Sequence, residues 1–205
     1  TLSLPDALPI AGSTMAATAD AIAHIAVTTN AAAAAGFIAA MLASWIVLRK
    51  PDAGLGMNGA LAGLVAITAG CAFVTPGAAL LIGAIGGLLM FASVLFFDRI
   101  HLDDPVGAVS VHGVCGAFGT LAVGLWAVAD LTGGAAGLFY GGGLQLLGVQ
   151  ALGVASIFGW AILAGFIVFG LINKTVGLRV TPAEEVEGLD VLEHGAEAYP
   201  YFARW

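Results

Sequence analysis

Charged residues are scarce in this sequence: Lys, Arg, Asp and Glu make up 9% of its 205 residues, where ordinary soluble domains carry roughly 25%. That scarcity speaks against a water-soluble fold, because 60% of the residues are hydrophobic and a soluble chain would scatter its charges along amphipathic helices. Only six residues are basic, and they offer no face for nucleic acid. Cysteine is rarer still, with two residues. Cys71 and Cys115 sit in separate apolar runs without metal-ligand spacing, which makes them small packing residues with no assigned chemistry. No metal or cofactor is expected.

What the sequence has is long apolar runs and glycine. Five uncharged stretches, 22–48, 57–74, 77–97, 106–128 and 145–173, are each about long enough to cross a hydrocarbon core, which takes about 20 helical residues. The first contains His24, Thr28, Thr29 and Asn30, so its helix is expected to begin near Val27. The 30 glycines lie among Leu, Ala, Ile and Val, as they do where membrane helices pack closely. Thr75-Pro76-Gly77 is too short for anything but a tight hairpin, so the spans around it must be neighbours. Gly59 with Gly63, and Gly83 with Gly87, give each of them a small-residue face.

The charges set an orientation. Arg49 and Lys50 end the first span, Arg99 the third, and Lys174 and Arg179 follow the fifth, while the opposite connections hold no Lys or Arg. Five crossings put all these cations on one face, the cytoplasmic one by the positive-inside rule. The loop from Asp130 to Gly143 carries Phe139 and Tyr140 and reads as interfacial, with no catalytic pattern. Residues 175–205 form an acidic tail with too few apolar residues to build a core. The first ten residues, with Pro5 and Pro9 and no basic start, fit neither a signal peptide nor a span. The chain is expected to begin mid-protein.

One residue stands out chemically. His112 lies six residues into the fourth run, about 9 Å along a helix counted from Val106. An ionisable side chain at membrane depth usually faces the bundle interior or a cavity. A neutral imidazole hydrogen-bonded to a neighbouring helix is the equally weighted alternative. Ala108, Gly116 and Gly119 fall on the same helix face at spacings of four and seven, leaving room for a passage or for close packing. Asp104-Pro105 reads as an N-cap followed by proline at the first helical position. His24, His101 and His194 lie too far along the chain to meet His112 at depth.

These residues resemble a known family. Asp103-Asp104-Pro105 leading into His112-Gly113-Val114-Cys115-Gly116, within Leu102 to Gly116, resembles the signature of ammonium transporters of the Amt/Mep/Rh family. The segment from Asn58 to Thr68 is similar to another family helix, and Gly188-Leu189-Asp190 with His194-Gly195 and Ala198-Tyr199 resembles its cytoplasmic tail. The resemblance covers all but the first ten residues and implies an all-α membrane protein. The family fold has eleven helices in two inverted five-helix repeats plus a last helix, and assembles as a homotrimer with one pore per subunit.

The five spans would be the last five helices, so residues 1–10 are foreign in character, 11–174 a partial transmembrane domain and 175–205 a regulatory tail. His112 would be the second of two pore histidines, and Ser13, in Ala11-Gly12-Ser13-Thr14, the serine of the outer recruitment site. Pro9 and Ile10 stand where the family has a Phe-Asn pair. The implied function is ammonium and ammonia transport across the inner cell membrane, with deprotonation and histidine-mediated conduction. A PII signalling protein is the implied partner at the cytoplasmic face. An ammonium sensor is the alternative. An intramembrane enzyme or haem protein would need a partnered nucleophile or a second axial ligand beside His112, and the sequence offers neither.

Overall fold

The computed structural model describes residues 19–104 and 106–195, with the backbone alone for Ala19, Asp20 and Val191. Ser13, Pro105 and Tyr199 lie outside the described residues. Among those described every regular element is helical. The chain divides into two units, Thr1–Ala155 and Ser156–Trp205.

In the first unit α1 spans Ala19–Leu48. It starts well before Val27, because its polar residues find partners without breaking it. Thr28 donates back to the His24 and Ile25 carbonyls at 3.2 and 3.1 Å, and Asn30 donates to Ala26 O at 2.8 Å. α2, Ala53–Thr68, opens where the Asp52 carboxylate accepts the Leu55 N–H. It stops six residues short of the apolar run it was expected to fill. Residues 70–74 instead form tight turns, and three groups from outside take their carbonyls. Thr28 Oγ1 donates to Cys71 O at 2.8 Å, the His24 Nε2 lies 3.0 Å from Val74 O, and Val128 N donates to Phe73 O at 2.9 Å. α2 is therefore about 24 Å long, short of the hydrocarbon thickness of about 30 Å. The five apolar runs become four helices long enough to cross a membrane, plus this shorter one.

α3 spans Pro76–Arg99, with Thr75 Oγ1 accepting from Ala78 N and Pro76 in the first turn. The connection is longer than the three-residue hairpin the sequence implied, because α2 ends at Thr68 and the turns that follow lead up to Thr75. The two small-residue faces meet at one place on α1. A Cβ added at Gly63 or Gly83 would collide with the Ala32 carbonyl, and one at Gly59 or Gly87 with that of Gly36. Hydrogen side chains at these positions let both helices reach the α1 backbone. The pairing order makes α2 antiparallel to α1, and α3 parallel to it. α3 also touches α2 directly, through Gly86 against Ala62 and Ala66.

A π-turn, Val109–Val114, leads into α4, Cys115–Trp126. α4 lies on α2, with Gly119 against the Ala66 backbone. After it the chain makes a short helix, α5 at Ala129–Thr132, and a 3-10 turn at Leu138–Tyr140. Gly137 N bonds to Ala127 O at 2.8 Å, and the Phe139 ring stacks at 54° on Trp126 with centroids 5.2 Å apart. α6, Gln145–Thr175, runs across the boundary of the two units and buries no residue.

The second unit holds the end of α6, then α7 at Pro182–Glu187 and α8 at Leu189–His194. α7 is started by a capping box in which Thr181 and Glu184 exchange side-chain and backbone bonds.

Candidate functional site

The segment between α3 and α4 is built around Asp104. The carboxylate accepts from Val109 N at 3.0 Å through Oδ1, and from Ser110 N at 3.1 Å and Ser110 Oγ at 3.0 Å through Oδ2. Asp104 caps the helix, but from five and six residues upstream. The helix does not open at Asp104-Pro105, as the sequence had suggested. The chain first makes a turn, with Gly107 N bonded to Asp104 O at 2.9 Å and Gly107 at φ +70°. Burial pushes the Asp104 carboxyl up, yet the N–H groups of Val109, Ser110 and Ala108 and the Ser110 hydroxyl favour the anion and hold it below the ordinary carboxylate value.

This turn sets the depth of His112. The helix begins at Val109, which leaves His112 less than one turn inside it. The lost depth is recovered because the turn folds inward. The Asn58 side chain donates to Val106 O at 3.3 Å, and Gly107 lies against Asn58 and Val94. Asn58 is five residues past the start of α2 and Val94 five before the end of α3. At 1.5 Å per residue the turn sits about 8 Å inward of both helix ends, and His112, five residues further, about 15 Å inward.

At that depth the His112 ring is exposed on this chain, and no described residue hydrogen-bonds it. The alternative of an imidazole satisfied by a neighbouring helix is not realised among the described residues. Ala108, Val109 and Gly113 are exposed as well, so His112 belongs to an open and otherwise apolar face. Gly119 does not share it. The π-turn inserts one extra residue per turn, and Gly119 ends up against Ala66 of α2 as a packing residue. Gly116 lies half-buried beside Val65.

The remaining candidates lie apart. His24 braces the end of α2, His101 is an exposed loop residue at φ +57°, and His194 is exposed in the last turn of α8. Gly188 and Gly195, at φ +99° and +65°, bracket α8, whose Leu189 is exposed. The Thr181 N–H and hydroxyl hold the Glu184 carboxyl below its ordinary value. Ser110 and Cys115 are both fully buried; Ser110 was not singled out from sequence, and Cys115 was read there only as a small packing residue. Their polar bonds depend on the π-turn, which no local pattern announces.

Residues 11–199 match the profile described as the Ammonium Transporter Family. The chain is 42% identical over 198 residues to ammonium transporter Amt2 of Archaeoglobus fulgidus, which covers 94% of this chain and 42% of that protein. It is 38% identical over 187 residues to an ammonium transporter of Bacillus subtilis, covering 90% and 46%. A solved structure described as a sensor Amt protein superposes with TM-score 0.77 at 38% identity, over 86% of this chain and 43% of that one. Mep2 of Saccharomyces cerevisiae gives 0.74 at 25% identity, over 81% and 39%. The chain thus spans less than half the length of these relatives.

Proposed function

Because the chain belongs to the ammonium transporter family, a family of multi-pass membrane proteins, we propose that it is the carboxy-terminal, His112-bearing half of a transmembrane passage for ammonium and ammonia. A preceding half of similar length completes that passage. The observation that carries the reading is an imidazole that no described residue hydrogen-bonds, about 15 Å inside the helix ends, on a face that is otherwise apolar among the described residues.

Chemistry at that depth favours the neutral amine. An unpaired ammonium in a low-dielectric passage costs far more than ammonia, which keeps a hydrogen bond. A neutral imidazole donates one bond and accepts another, so His112 can hold ammonia and relay the proton the cation gave up. Ala108 keeps the wall beside it small, and Ser13 helps to recruit the cation at the outer mouth. The protein is a transporter rather than an enzyme. It resides in the inner cell membrane as a homotrimer, with the Arg99 end of α3 and the tail in the cytoplasm. Gly188, Leu189, Asp190, His194, Gly195 and Tyr199 form the tail surface that engages a PII protein.

Uptake by the complete protein carrying His112→Ala tests this reading. Loss of proton-coupled ammonium uptake in a folded, membrane-inserted variant is expected. Unchanged rate and pH dependence would reduce His112 to a packing residue. The similarity to a sensor Amt protein favours a second reading, in which ammonium occupancy signals through the tail. Uptake that survives while tail conformation responds to ammonium would select it.

A further inference from the structure

The π-turn that presents His112 is tied at both ends through a single residue, Ser110. Its N–H and hydroxyl both donate to Asp104 Oδ2, at 3.1 and 3.0 Å. Its carbonyl lies 3.3 Å from the Cys115 sulfur, which is also 3.3 Å from the Gly86 carbonyl of α3. Both residues have no exposed surface, so water replaces none of these bonds.

The spacing of the thiol bond is informative. Elsewhere in these helices Thr28, Thr68, Ser93 and Thr120 return their hydroxyls to carbonyls three or four residues back, as side chains in α-helices do. Cys115 reaches five back. In an α-helix, at 100° per residue, positions five apart sit about 140° from each other around the axis. A π-turn, closed by bonds between residues five apart, brings them together. Annealing the turn to α-helix would rotate His112, three residues ahead of α4, by about 50° relative to it and separate Cys115 from Ser110.

We propose that Ser110 and Cys115 are positioning residues that hold the π-turn, and through it aim the His112 ring into the passage. Neither touches the permeant molecule. The proposal rests on the reading of His112 as the conducting residue. It adds that the orientation of His112 depends on a buried hydroxyl and thiol behind it.

Four variants of the complete protein test this: Cys115→Ala, Cys115→Ser, Ser110→Ala and His112→Ala. Ammonium uptake is measured per folded molecule against concentration and pH, together with melting temperature. Cys115→Ala should lower the maximal rate about fivefold, the factor one net hydrogen bond is worth. Its pH profile should shift, and the half-saturating concentration, set at the outer mouth, should stay unchanged. Cys115→Ser, which keeps a donor, should recover most of the rate, and Ser110→Ala should behave like Cys115→Ala. If Ser110→Ala does not fold, the Cys115 pair alone decides. A Cys115→Ala protein with wild-type rate and pH profile, while His112→Ala is inactive, overturns the positioning role and leaves the function standing. A loss explained wholly by a smaller folded fraction does the same. Wild-type uptake by His112→Ala overturns the functional reading itself.

Discussion

Replacing Asp104 by alanine removes one acceptor group and strands three donors: the N–H groups of Val109 and Ser110 and the Ser110 hydroxyl. Ser110 is fully buried, so water cannot substitute there. Hydrogen bonds to a charged group contribute about 1.5–3 kcal/mol each, and the half-buried position of Asp104 places these three at the low end, giving a loss of about 4–5 kcal/mol. Asp104→Asn keeps one carbonyl acceptor and should cost about half as much. The anion is the form that works. A carboxyl held below its ordinary value of 3.8 binds its proton more weakly in the folded state. Its contribution is therefore complete above that value and is lost as pH falls through the lower folded value. Melting of the purified full-length protein in detergent, across pH 3 to 7, reads both effects. Asp104→Ala should melt lower at neutral pH, with the gap to the parent closing only in acid. Equal melting at pH 7, or a gap that closes well above pH 4, refutes the cap as described.

Other outcomes follow from the same structure. Thr28→Val deletes the bond to Cys71 O while keeping volume; it should cost about 1–2 kcal/mol and speed amide hydrogen exchange across residues 70–74 more than elsewhere. Cysteines placed at Thr75 and Arg99, the two ends of α3, should be labelled from opposite sides of the membrane, and labelling from one side contradicts the topology. Deleting residues 183–205 from the full-length protein should alter PII regulation while leaving the membrane helices folded, and unchanged uptake together with unchanged PII association rejects the tail assignment.

Much of the fold could be read from residues whose effect is local. Thr75-Pro76 announces a helix start through a cap and a ring, and α3 begins there. Glycines four apart announce close packing, though not that Gly63 and Gly83 share one carbonyl on α1. The readings that missed depended on partners distant in sequence. Residues 69–74 are apolar enough to continue α2, and only the bonds from Thr28, His24 and Val128 account for the early end. Polar His24, Thr28 and Asn30 suggested a late start for α1, yet two of them bond to their own helix.

The site divides in the same way. His112 was conspicuous because an ionisable group in an apolar run is rare. Asp104 was read as a cap at the wrong register, since an N-cap pattern assumes the helix starts next to it. The π-turn itself left no local signature, and Gly119 was assigned to the wrong face for that reason. The capping box at Thr181 and Glu184 was legible from its spacing but passed as part of an acidic tail.

The central claim, that ammonium crosses as ammonia beside His112, is tested most directly by reconstituting the full-length protein in liposomes. Ammonium-driven current and interior alkalinisation by ammonia would be recorded together for the parent and for His112→Ala. The account predicts that both signals in the parent depend on pH, and that His112→Ala loses the coupled current, with any residual flux lacking that pH dependence. Parent-like current with an unchanged pH profile in a folded His112→Ala protein would contradict it.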